Sequence, residues 1–132
     1  LSMATSGKTL TRNFWSYSPE YAIMDSTTYK EAQMKLVKFD FPYSGPFGTE
    51  MTAAMDGLAR SILQEPGFLW KIWLENRTTQ EAGGIYLFSD EESATNFMAK
   101  HSARLKKFGI DRINAKIFDV NVPLTKFTNG PV

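Results

Sequence analysis

The side chains that could do chemistry are few, and they gather in the second half of the chain. His101 is the only histidine, so it alone can titrate near neutrality without a shifted pKa. Arg104 follows three residues later, one turn along a helix. The pair could accept a proton and steady the oxyanion left behind. Each also has an ordinary reading: His101 as a core histidine satisfied by a backbone carbonyl, the commoner fate on an apolar helix face, and Arg104 as half of a surface ion pair. Trp70, Trp73 and Tyr86 could stack on a flat aromatic ligand and orient it through an indole N–H or a phenol O–H, although core packing is the commoner role for each taken singly. Phe47, with glycines close by, could be a lid over a pocket mouth or merely part of a tight strand-to-helix turn. The Gly83-Gly84 pair marks either a bulge or the close approach of a ligand or another backbone.

Composition removes other chemistries. With no cysteine there are no disulfides, thiolate nucleophiles or cysteine-based metal centres, and one histidine with no cysteine argues against zinc. No carboxylate cluster suggests magnesium, because Glu91 and Glu92 fit a helix start. Gly45-Pro46-Phe47-Gly48 is neither a phosphate loop nor a dinucleotide fingerprint. A net charge of +1, from 15 basic and 14 acidic residues, offers no footprint for nucleic acid or an anionic membrane. No apolar run approaches a membrane span and no secretory signal is visible, so a soluble, cytoplasmic protein is expected. Asn76-Arg77-Thr78 has the form of a glycosylation acceptor and is read as chance without such a signal.

These residues need a scaffold, and the patterning supplies one. Residues 1–33 read as an N-terminal extension, with Leu1-Ser2 left from processing or cloning before Met3, aromatics at Phe14, Trp15, Tyr17 and Tyr21, and a short helix from Ser26 to Ala32 capped by Ser26 or Thr27. Residues 34–132 read as one domain. A strand over Lys35–Phe41 puts Val37, Phe39 and Phe41 on one face. A helix capped by Thr49 carries Met51, Ala54, Met55, Leu58 and Ile62 inward and ends near Gln64. Pro66-Gly67 fits a type II turn. In the next strand Phe68, Trp70, Ile72 and Leu74 share one face and Leu69, Lys71, Trp73 and Glu75 the other, so at most one of Trp70 and Trp73 reaches a pocket. Gly83–Phe88 completes a hairpin. Ser89 and Glu92 form a capping box for a helix with Ala94, Phe97, Met98, His101, Leu105 and Phe108 inward, stopped by Gly109. A last strand spans Arg112–Val120, ended by Pro123. The order βαββαβ is the α+β, ferredoxin-like pattern, a four-stranded antiparallel sheet with two helices on one face. Its other face is too apolar for water, and pairing with the same face of a second copy would cover it, predicting a homodimer.

Five blocks resemble the YdhR-type monooxygenases, a branch of the dimeric α/β-barrel superfamily that also holds the antibiotic-biosynthesis monooxygenases. They are Ser44–Gly48, Gln64–Trp73, Glu81–Phe88, Lys100–Lys106 and Ala115–Asn121, within about residues 36 to 124. The resemblance implies a sheet-on-sheet dimer with a pocket in each subunit. It also implies oxidation of a small phenolic or quinol-like aromatic by O₂ as co-substrate, with no cofactor and no metal. An electron-rich phenolate reduces O₂ itself, so the protein need only bind it, deprotonate it and keep water away. His101 then becomes a candidate acceptor for the phenolic proton. Two other readings fit the same scaffold: a non-catalytic dimeric binding module, and an isomerase-type enzyme. A haem role would set His101 against its use as a base.

Overall fold

The computed structural model describes residues 25–132. The expectations for Phe14, Trp15, Tyr17 and Tyr21 fall outside them. The elements run α1 (Ser26–Ala32), β1 (Lys35–Pro42), α2 (Gly48–Ala54), α3 (Asp56–Leu63), β2 (Phe68–Asn76), β3 (Glu81–Phe88), α4 (Glu91–Lys107), β4 (Asn114–Asp119) and α5 (Val122–Phe127). The four strands form one sheet in the order β2-β3-β1-β4, every pair antiparallel. This is the ferredoxin-like order, with α4 lying across β1, β3 and β4 and α3 against β2.

Alternation sorts each strand between two environments. Val37, Phe39 and Phe41 on β1, Ala82, Tyr86 and Phe88 on β3, and Ala94, Phe97 and Leu105 on α4 form the buried core on the helix side. Phe39 meets Tyr86, Phe97 and His101 edge to face, which favours aromatic packing beyond the area buried. The opposite face carries Leu36, Ile72, Ile85 and Phe118, of which Ile72 and Phe118 are about half exposed. The chain covers one end of this face itself. Trp70 donates its indole N–H to the Pro131 carbonyl at 2.7 Å, and Leu87, its cross-strand partner, is buried.

Several local expectations change. The helix expected from Thr49 to Gln64 is two helices, because Met55 leaves helical geometry at φ −97°, ψ 8°, and Ala54 beside the break is exposed. Thr49 is not its cap. Phe47 occupies that position with no side-chain bond, and Glu75 of β2 accepts from the Gly48 N–H at 2.8 Å instead. Asp90, not Ser89, caps α4, accepting from the Ser93 N–H, and Asp25, not Ser26 or Thr27, caps α1. In both places an aspartate carboxylate accepts from the third amide of the helix, where its negative charge is favoured. Gly109, at φ +88°, closes α4 with Ile110 N–H on Leu105 O and Gly109 N–H on Lys106 O, the paired bonds of a Schellman end. Gly67 takes φ +73° with Phe68 N–H on Glu65 O, as a type II turn requires. Pro123 does not end β4 directly; it sits in the first turn of α5, a helix the alternation gave no sign of.

Candidate active site

A bulge in β2 decides which side chains can meet. Phe68 pairs with Phe88, but Trp70 pairs with Leu87, so Leu69 is the extra residue. Phe68 therefore faces the helices while Trp70 faces away, contrary to the simple alternation that grouped them. From Trp70 onward the period is regular, and Lys71 opposite Tyr86 and Trp73 opposite Gly84 point to the helix side.

There a cavity of about 290 Å³ opens between the sheet, α2, α3 and the end of α4. Lys71, Trp73, Tyr86 and His101 line its polar end, with Tyr43 from the loop after β1. Met51, Met55 and Leu58 supply apolar wall. Trp73, Tyr86 and His101 are thus brought together. Trp70, Phe47 and Arg104 do not line the cavity. Phe47 is core, packed on Tyr43 at 5.5 Å between ring centres with the Arg77 guanidinium 5.3 Å from its ring. Gly83 lies where a Cβ would come 2.0 Å from the Phe39 carbonyl, so the close backbone there is the chain's own β1.

His101 is 2 % exposed and engaged at both ring nitrogens. Arg104 reaches Nδ1 from Nη2 at 3.1 Å and from Nε at 3.4 Å, and its Nη1 donates to Ser61 at 3.3 Å. A guanidinium only donates, so Nδ1 accepts and the imidazole proton sits on Nε2. Nε2 lies 3.2 Å from the Tyr86 oxygen, which accepts from it, leaving the Tyr86 O–H free to donate elsewhere. Arg104, expected in a surface ion pair, has neutral partners instead. Burial first, then the charges of Arg104 and Lys71, push the His101 pKa down to about 3, so it stays neutral and is a weak proton acceptor. With both nitrogens occupied, it is also not free to hold a haem iron.

Lysine 71 is the residue that sequence reasoning passed over. Its ammonium nitrogen sits 3.2 Å from the Trp73 ring centre and 4.5 Å from that of Tyr86. Burial, then the Arg104 charge, lower its pKa to about 7. Among the described residues neither Lys71 nor Arg104 pairs with a carboxylate. Tyr86 is raised by burial, so it stays a phenol. Tyr43 is also raised, by burial and by Glu75, and its buried hydroxyl has no hydrogen-bond partner among the described residues. Such an orphan inside a cavity is a natural contact for a ligand oxygen. A lysine between Trp70 and Trp73 in an otherwise apolar run, with two glycines on the neighbouring strand, was the available signal.

An antiparallel ferredoxin-like sheet with helices on one face and a cavity beneath them places the chain in the α+β class. The chain belongs to the family described as "Putative mono-oxygenase ydhR", whose model matches residues 36–131. Among solved structures, it is similar to a monooxygenase from the gene ActVA-Orf6 of Streptomyces coelicolor in complex with nanaomycin D. That match has 18 % identity and TM-score 0.50 over 74 % of this chain and 95 % of that one. It is also similar to SnoaB, a cofactor-independent oxygenase from Streptomyces nogalater, at 16 % identity and TM-score 0.49 over 68 % of this chain and 94 % of that one. The heme-degrading protein Rv3592 of Mycobacterium tuberculosis matches at 18 % identity and TM-score 0.42 over 67 % and 93 %. No curated protein matches the chain in sequence. Among the described residues no cluster of three His, Asp or Glu side chains could hold a metal ion, and no helix is long and apolar enough to cross a membrane.

Proposed function

We propose that this protein is a monooxygenase that binds a small, flat phenolic or quinol-like compound in the cavity and lets it react with O₂ without a cofactor. One observation carries the reading: an aromatic-walled cavity next to two cationic side chains that no carboxylate among the described residues neutralises. That field favours the anion of a bound phenol over the phenol itself, and the anion is the form that gives up electrons to O₂. Trp73 and Tyr86 offer ring faces to the ligand, and the free Tyr86 and Tyr43 hydroxyls offer hydrogen bonds to its oxygens. In this reading Arg104 and His101 hold the Tyr86 hydroxyl in place, and Arg104 adds charge. For an anthrone-type substrate the balance is simple: a CH₂ and O₂ become a C=O and H₂O. We further take the half-exposed Ile72 and Phe118 to belong to a homodimer interface, checked by the mass in solution at micromolar concentration, where a monomer would contradict it.

The test is O₂ consumption by metal-stripped, colourless protein over a panel of anthrone- and quinol-type compounds. The expected result is one O₂ used per substrate oxidised. Tight binding with no O₂ uptake across the panel would replace the oxygenase with a binding module that sequesters the same ligands.

A further inference from the structure

Among the described residues, Lys71 brings the one amine to the cavity lining. The β2 register turns it to the helix side across from Tyr86, and it lines the cavity. Gly84 makes its path possible, since a Cβ at that position would lie 2.6 Å from Lys71 Cε and 3.0 Å from the Tyr86 ring. The amine then rests on the Trp73 and Tyr86 ring faces rather than on a carboxylate. We propose that Lys71 is the proton acceptor of this cavity: its neutral amine takes the phenolic proton of the bound aromatic, and the resulting ammonium stays beside the phenolate over the two rings.

This rests on the function proposed above and names the catalytic group for it. The substrate O–H bond breaks, an N–H bond forms, and the electron pair stays on the substrate oxygen. The ammonium returns its proton to the reduced oxygen atom that leaves as water. Every titratable or charged group facing Lys71 bears on its proton. From β3, Tyr86 remains a neutral phenol. From α4, His101 is neutral and Arg104 is the cation that lowers Lys71. Tyr43 and Asp111 line the same cavity, and Glu75, further along β2, acts on Tyr43. An amine near 7 is divided between its two forms at neutral pH, whereas a free lysine, near 10.4, is neutral in fewer than about one molecule in a thousand. The rings favour the cation and burial disfavours it, so both forms are accessible during a cycle.

Two measurements test this together. The first is reductive ¹³C-methylation of the lysines followed by NMR titration, with the Lys71 resonance assigned by its loss in Lys71→Met. We expect it to titrate near pH 7, and Gly84→Ala, which crowds the side chain without removing it, to move it back toward the range of a free lysine. The second is turnover of an anthrone-type compound and the ionisation of bound 4-nitrophenol. Lys71→Arg keeps a cation but loses the base, so bound nitrophenol stays ionised while turnover falls by about 100-fold or more. Lys71→Met loses both. Wild-type turnover in Lys71→Arg, or a Lys71 that titrates like a free lysine while the wild type turns over, overturns the proposal and leaves the oxygenase reading standing. A Lys71 near pH 7 in a protein that neither binds nor oxidises any phenol sinks both.

Discussion

The two faces of the sheet are woven from the same four strands but handle their charges in opposite ways. On the outer face Lys38 pairs with Asp40, Asn114 donates to the same carboxylate, and Lys116, opposite Lys38, stands exposed, so charge among Ile72, Ile85 and Phe118 is either paired or solvated. On the helix side Lys71 lies on rings, and Arg104 bonds to a histidine and a serine. A net charge of +1 conceals this contrast. What separates a site from a surface here is whether a cation without a carboxylate partner among the described residues is buried or solvated, not how many cations there are.

The comparison can be broken most directly by matched truncations. Phe97→Ala, at a fully buried ring among Phe39, Tyr86, Phe88 and His101, should cost about 3–5 kcal/mol in urea unfolding. Ile72→Ala, half exposed on the outer face, should cost less than about 0.5 kcal/mol. A larger loss at Ile72 that grows with protein concentration would mean that a second copy covers that face. The next test is acid. The folded pKa of His101 lies below its unfolded value, so the unfolded chain binds the proton first as pH falls, and stability drops between about 6.5 and about 3. The slope from this group is at most about 1.4 kcal/mol per pH unit. It should flatten in His101→Gln, and equal slopes in both proteins would contradict the buried neutral imidazole. A more local effect belongs to Trp70→Phe, which removes the donor to Pro131 and should cost about 1 kcal/mol while leaving ligand binding in the cavity unchanged.

The sheet order and most of the inward stripes of both helix segments were legible because period-two and period-3.6 patterns report which side of an element is dry; Ala54, beside the helix break, and Phe108, at the end of α4, were expected inward and are exposed. So was the separation of Trp70 from Trp73, although not which of them reached the cavity. What escaped depended on contacts distant in sequence. Glu75 substitutes for a helix cap from 27 residues away. Arg104 meets Ser61 across 43. Lys71 was read as the polar member of a mixed face because lysines are ordinarily solvated. Its burial comes from helices packed on the sheet from elsewhere in the chain, α3 against β2 and α4 across β1, β3 and β4, which no local pattern encodes.

The extra residue at Leu69 also works as a phase shift. With it, Phe68 can serve the core while Lys71 and Trp73, an odd number of positions further on, serve the cavity. Straightening the bulge, so that Leu69 stays in the chain but joins the ladder in regular alternation, would force a choice between the two. Either Phe68 turns out to the surface, or Lys71 and Trp73 exchange sides with Trp70 and Ile72, emptying the cavity of its amine. The two-against-one pairing at this point is thus as much a part of the site as side-chain identity, since it sets which side chains reach the cavity on an otherwise unchanged sheet.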